Sequence, residues 1–239
     1  MYSFESRVRY SECDERLRLS IPATINYLQD CSMFHCEHIG HGQVYCAERH
    51  FAWFVAAWQI RLLRLPTFCD HIRLSTWCNQ MGNTLATRHF LMQAENGEHL
   101  VEAESLCVTV NTQTGKAQRI PAEEQAFLTD EPSLGLPPTR RKLRLGGEGR
   151  EAFSIEVGRQ LLDSNGHVNN VQYIALAEDA IRMQDADFRA GTILVQYKLA
   201  AHLGDTMRLL VHEETDGYGV DLANVDGRSF AIVRMLRAE

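Results

Sequence analysis

The chain alternates short apolar-polar runs with two stretches whose apolar residues recur at helical spacing. The first stretch is IPATINYLQDCSMFHCEHIG, residues 21–40, where Ile21, Ile25 and Leu28 form an i, i+4, i+7 stripe. Ser20 is placed to cap it, Pro22 suits an early helical position, and Gly40 is a stop signal. The second is NNVQYIALAEDAIRMQ, residues 169–184. Here Val171, Ile174, Leu176, Ala177 and Ile181 spread widely around the axis, which predicts a largely buried helix capped by Asn169 or Asn170. Strand-like alternation precedes each helix and long strands follow it. Asn96-Gly97 and Asp226-Gly227 predict tight hairpins, and Thr114-Gly115 marks another turn.

Strand, loop, helix and strands thus occur twice, which predicts an α+β protein with two antiparallel sheets, each covered by one long helix. Setting Tyr27 on Tyr173 overlays NYLQD on QYIAL with a shift of 146. Further on, Trp58-Gln59-Ile60-Arg61-Leu62 overlays Val195-Gln196-Tyr197-Lys198-Leu199, and Asp70 and Arg73 overlay Asp205 and Arg208. The shared order supports an internal duplication. The Pro- and Gly-containing stretch 128–150 reads as a linker between a first unit, 1–127, and a second, 151–239.

Composition narrows the partners. Of 239 residues, 45% are hydrophobic and 23% charged, which suits a globular protein. A net charge of -7 disfavours nucleic acid. The start MYSFESRVRY has the pattern of a strand rather than of a signal or transit peptide, and no apolar run approaches the ~20 residues of a membrane span. Seven cysteines without a CxxC read as reduced thiols, which points to a cytoplasmic protein. Cys31, His35, Cys36 and His38 are zinc-ligand types clustered in one segment. Cys36 faces away from the Cys31-His35 pair and no second pair follows, so core thiols and ordinary histidines are the favoured reading, with no metal or cofactor.

The chemistry concentrates in LDSNGHVNNVQY, residues 162–173. Asp163, Asn165 and His167 alternate within a glycine-containing turn that opens on the second helix. A helix start presents unpaired N–H groups and the positive end of its dipole, which can stabilise an oxyanion. An imidazole can act as base on water, with a carboxylate to orient it and an amide to hold water or a carbonyl. Equally, Asp, Asn, Ser and Gly are ordinary turn and cap residues. With the shift of 146, Asp163, Asn165 and His167 fall on Leu17, Leu19 and Ile21, an apolar counterpart that favours a chemical role for the polar set.

Asp-x-Asn-x-His-Val-Asn-Asn-x-x-Tyr before a long helix resembles the catalytic segment of acyl-acyl carrier protein thioesterases. YKLAAHLGD (197–205) resembles their strand-turn, and RLSIPATINYLQD (18–30) with WQIRLLRLP resembles their N-terminal domain. The resemblance implies a tandem (double) hotdog fold, with 1–127 as the pocket-forming hotdog and 151–239 as the catalytic one. It implies hydrolysis of fatty acyl-acyl carrier protein to free fatty acid without a cofactor. Asn165 and His167 match the family's catalytic pair and Asp163 its motif aspartate, with backbone N–H groups of Val168, Asn169 and Asn170 as an oxyanion hole. Several plant members of the family carry Glu-Cys where this chain has Ala200 and Ala201, so either Asp163 suffices as the acid, or another group such as His202 contributes, or activity is weak. Asp179 matches an acidic helix position and is a candidate second partner.

The expected partner is acyl carrier protein bearing a phosphopantetheine-linked acyl chain. Arg140, Arg141, Lys142, Arg144 and Arg150 form the densest basic stretch, either a docking patch for that acidic carrier or a solvated linker. Trp53, Phe54 and Trp58 are candidates for the acyl pocket or simply core aromatics. An acyl-coenzyme A thioesterase and an inert acyl- or carrier-binding module are the alternatives. Tandem halves can pair within one chain, so a monomer or a homodimer is expected.

Overall fold

The computed structural model describes residues 1–238, and they divide into two compact units, 1–139 and from 140 onward. The first unit runs β1 (Tyr2–Arg7), a single-turn helix, α1 (Ile21–His38), α2 (Gln43–Glu48), β2 (Phe51–Leu62), β3 (His71–Met81), β4 (Ala86–Ala94) and β5 (His99–Asn111). The second runs β6 (Arg150–Glu156), a single-turn helix, α3 (Asn170–Arg182), β7 (Ala190–Tyr197), β8 (Thr206–Glu214), β9 (Gly217–Ala223) and β10 (Ser229–Arg237). The first unit's strands pair antiparallel in the order β1-β3-β4-β5-β2. The second unit's pair as β6-β8-β9-β10-β7, the same order strand for strand.

Both helices form where the apolar spacing predicts them. Ile21, Ile25 and Leu28 are buried as α1 packs on β1, β3 and β4. On α3, Val171, Ile174, Ala177 and Ile181 are buried against β8, β9 and β10, while Leu176 stays partly exposed. Ser20 caps α1 by accepting the Ala23 N–H at 3.3 Å. Asn169, not Asn170, caps α3 by accepting the Val171 N–H at 3.0 Å. The Asn96-Gly97 and Asp226-Gly227 hairpins both form, with positive φ at each glycine.

In the first unit the sheet is buried on both faces. From Leu74 to Cys78 on β3 every residue is buried, although only alternate residues can face α1. The cover is the chain after residue 128. The Trp77 indole donates to the Pro132 carbonyl at 3.0 Å, the Asn79 amide to Glu131 at 3.2 Å, and the Thr139 N–H reaches the Glu104 carboxylate at 3.3 Å. In the second unit, Leu143 is buried and its N–H donates to the Gln196 side chain at 2.9 Å. The Pro- and Gly-containing stretch is therefore shared between the units, with each part held by contacts of its own.

The capping assignment separates two adjacent asparagines. Asn169→Ala is expected to lower the unfolding free energy by about 1 kcal/mol. Asn170→Ala should leave it within about 0.5 kcal/mol. Urea denaturation of both variants checks the ranking, and equal losses would contradict it.

Candidate active-site turn

The single-turn helix Arg159–Leu161 delivers the chain to Asp163, where it folds back on itself. The Asp163 N–H donates to the His167 carbonyl at 2.8 Å, and the Gly166 N–H to the Asp163 carbonyl at 3.1 Å. Gly166 has φ +75°, a conformation that glycine adopts without steric cost. The Asp163 carboxylate accepts the Asn165 N–H at 2.8 Å and the His167 N–H at 3.2 Å through the same oxygen. Its other oxygen lies 3.5 Å from the Asn165 amide nitrogen. Asp163 therefore serves the backbone of the turn and makes no hydrogen bond to the imidazole it was expected to orient.

The first unit builds the same turn. The Asp14 N–H donates to the Arg18 carbonyl at 2.7 Å, and one Asp14 oxygen accepts the N–H groups of Arg16 and Arg18, each at 2.9 Å. Burial raises the Asp14 carboxyl, but the bonds from Arg18 and Arg16 more than reverse it and hold it below the usual range. Leu17 occupies the left-handed position at φ 59°. Leu19 and Val168 donate to equivalent carbonyls, Pro66 and Ala201, and Ser20 and Asn169 are the two caps.

These pairs fix the shift through the turn at 149, which corrects the sequence overlay. Asp163 falls on Asp14, Asn165 on Arg16 and His167 on Arg18, rather than on Leu17, Leu19 and Ile21. The overlay slipped because it was anchored on two tyrosines that are not equivalent. Tyr27 donates to Glu12 at 2.8 Å, whereas the Tyr173 hydroxyl accepts the Ala201 N–H at 3.2 Å. The duplication consequently separates a shared frame, carried by the aspartate, from the residues that differ. Those are Asn165, Gly166 and His167, against Arg16, Leu17 and Arg18.

Asn165 is exposed and His167 partly buried. The His167 ring meets the His202 ring edge to face, with centroids 4.9 Å apart and planes at 87°. The Val168 N–H donates to Ala201 at 2.9 Å and the Asn169 N–H to Leu161 at 2.8 Å. Both are spent on the fold, which corrects their expected place in an oxyanion hole. The Asn170 N–H, at the first helical position, has no acceptor among the described residues, as helix geometry dictates. The Asn170 carbonyl accepts the Tyr197 hydroxyl at 3.0 Å. Burial pushes the Tyr173 phenol up to about 12, so it stays a neutral hydrogen-bonding group. The two tyrosines tie the helix start to the end of β7 and were missed in the sequence. Their signal was that a phenol on a buried face needs a polar partner.

Ala200 is exposed and Ala201 buried, and neither brings an acid to the turn. A cavity of about 500 Å³ opens beside them, walled by Ala200, His202, Asp205, Asn224, Arg228 and Phe230 among others. Asp179 is exposed, nine residues beyond Asn170 and so ~14 Å along the helix axis. It makes no side-chain hydrogen bond to the turn among the described residues, which corrects its expected supporting role.

The remaining candidates lie elsewhere. His35 accepts from the Arg88 guanidinium at 3.0 Å and stacks on Tyr2, and burial, with that cation beside it, pushes the imidazole down to about 4. Trp53 donates to the fully buried Glu124 at 2.8 Å, Trp58 packs on Phe90, and Phe54 is exposed. Arg140, Arg141, Lys142, Arg144 and Arg150 are all exposed.

Comparison with known proteins follows the same two-part division. A sequence model of the acyl-ACP thioesterase N-terminal domain matches residues 1–128, and one of the C-terminal domain matches residues 148–231. The chain is 28% identical over 188 residues to the chloroplastic palmitoyl-acyl carrier protein thioesterase of Gossypium hirsutum, covering 73% of this chain and 45% of that protein. It is 25% identical over 226 residues to oleoyl-acyl carrier protein thioesterase 2 of Arabidopsis thaliana, covering 87% and 62%. The chain spans about half the length of the curated relatives it matches. Among solved structures, an acyl-ACP thioesterase from Bacteroides thetaiotaomicron superposes with a TM-score of 0.89 at 19% identity, covering 99% of this chain and 97% of that one. The 12:0-ACP thioesterase from Umbellularia californica gives 0.83 at 21%, again covering 99% and 97%. The fold is therefore the tandem hotdog, as the sequence resemblance implied.

If both aspartates are frame residues, losing either costs stability. Asp14→Ala and Asp163→Ala are each expected to lower the unfolding free energy by about 1–3 kcal/mol, because each leaves two turn N–H groups without their acceptor. Thermal and urea unfolding measure this. A loss from only one of the two substitutions would contradict the equivalence.

Proposed function

The chain belongs to the acyl-acyl carrier protein thioesterase family, and from that premise we propose that it hydrolyses fatty acyl-acyl carrier protein. The products are a free fatty acid and the carrier's phosphopantetheine thiol. The observation that carries the reading is that, of two equivalent turns, only the second holds Asn165 and His167 at its tip.

In the proposed reaction His167 takes a proton from water as the oxygen attacks the thioester carbonyl. The carbon–sulfur bond then breaks, and the proton passes to the leaving thiolate. Asn165 holds the carbonyl or the attacking water. The Asn170 N–H and the positive end of α3 stabilise the oxyanion, a role supported by that group's lack of an acceptor among the described residues. Asp163 supports the reaction through the backbone it fixes.

Acyl carrier protein is the proposed partner. The exposed cations of the 140–150 stretch are the proposed contact, since an acidic carrier meeting a net negative protein needs a local basic patch. A cytoplasmic location belongs to the same proposal, supported by seven cysteines that are all free thiols. None of the described helices is long and apolar enough to cross a membrane.

Two measurements test the proposal. His167→Ala and Asn165→Ala should each lower kcat by about 10²–10⁴-fold with thermal stability retained. Turnover like wild type in the His167 variant would remove the assignment. Replacing Arg140, Arg141, Lys142 and Arg144 together with glutamate should raise KM for acyl-acyl carrier protein by about tenfold or more while leaving KM for acyl-coenzyme A little changed. An equal change for both carriers would contradict docking through this stretch.

A further inference from the structure

We propose that His202 is a positioning residue for His167, holding its imidazole by edge-to-face packing. The inference rests on the reading of His167 as the base and supplies the orienting partner that this reading lacks. Neither ring nitrogen of His167 has a hydrogen-bond partner among the described residues. The Asp163 carboxylate is occupied by backbone N–H groups, and Ala200 and Ala201 carry no acid. The ring contact that does reach His167 comes from His202, at 4.9 Å and 87°. That arrangement is one that two π systems prefer, with the positive edge of one ring against the negative face of the other.

The first unit shows that the fold does not need a histidine there. The backbone bridge between His167 and His202 is matched by one between Arg18 and Thr67. The N–H groups of His202 and Thr67 both donate at 2.8 Å to an aspartate three residues on, Asp205 and Asp70. Thr67 completes its turn by a hydroxyl bond to Asp70 at 3.1 Å. Backbone, aspartate and bridge are therefore kept in both halves. The paired rings exist only in the half that carries Asn165 and His167. Two facing positions differ together, from Arg18 and Thr67 to His167 and His202, where either alone would leave the contact unmade.

His202 is itself held. Its N–H is fixed to Asp205, and its Nδ1 lies 3.9 Å from the same carboxylate oxygen. Its side chain is 59% exposed and lines the 500 Å³ cavity, so the ring has room for another aromatic in its place. The chain of contacts runs from the β7–β8 turn through Asp205 and His202 to the face or edge of His167. Misplacing a catalytic group by about 1 Å can cost on the order of 10²-fold.

The test uses the whole chain with His202→Thr, which installs the first unit's residue, and His202→Phe, which keeps a ring. Steady-state kcat and KM on acyl-acyl carrier protein are measured, together with the order of the His167 ring in crystals of each variant. The threonine variant should lose about tenfold or more in kcat with KM and Tm little changed, and its His167 ring should spread over more than one rotamer. The phenylalanine variant should recover kcat to within about threefold of wild type and restore a single rotamer. Wild-type kcat and a single His167 rotamer in the threonine variant would overturn the proposal. So would a phenylalanine variant as impaired as the threonine one. Absence of thioester hydrolysis by the unsubstituted protein would count against the proposed reaction, while the ring order in the variants would still decide the role of His202.

Discussion

One carboxylate oxygen of Asp163 accepts two backbone N–H groups, and the candidate site depends on that. Those bonds close the turn, stand Asn165 and His167 at alternate positions on its tip, and set the chain down where α3 can begin. A charge-assisted bond to a backbone N–H is stronger than a neutral one, and unpairing two turn N–H groups carries a desolvation cost. The turn is then pinned from below by the Val168 and Asn169 N–H groups and by the two tyrosine hydroxyls. The proposed role of His167 needs such a frame, because a loop that sampled many conformations would hold no geometry.

The same frame in the first unit, built on Asp14, gives the duplication its explanatory value. Two copies of one turn share aspartate, cap, bridge and strand order, and differ at the positions that could touch a substrate. Frame residues are explained by folding alone. His167 is not, since its ring makes no bond to Asp163, whereas in the first unit the Arg18 guanidinium donates to Asp14 at 2.8 Å. This is a physical reason to look for chemistry in the second unit and for support in the first.

Much of this was legible in the sequence. The 3.6-residue spacing located both helices, Ser20 and the asparagine pair marked their starts, and Asn-Gly and Asp-Gly placed the hairpins. The polar turn stood out by its match to the family's catalytic segment, since asparagine, aspartate and glycine by themselves are ordinary turn and cap residues. What was not legible depended on long-range pairing. The repeat register was misjudged by three residues because two helix tyrosines looked equivalent, although one serves Glu12 and the other Ala201. Val168 and Asn169 looked like free donors until the β7–β8 connection supplied their acceptors or the preceding turn did so. Asp179 was named only by its match to an acidic helix position of the family, and it lies ~14 Å along the helix from Asn170. The segment 128–139 carried only loop signals, yet it covers a sheet face whose buried polar groups it helps to satisfy.

The central claim is catalytic, and it is tested most directly by quantifying free fatty acid and free thiol released when the purified chain is incubated with acyl-acyl carrier protein. The account predicts equal amounts of the two products, formed over many turnovers by each protein molecule. Tight binding of the acylated carrier without release of either product would contradict it, and would leave the chain as a binding module built on a thioesterase frame.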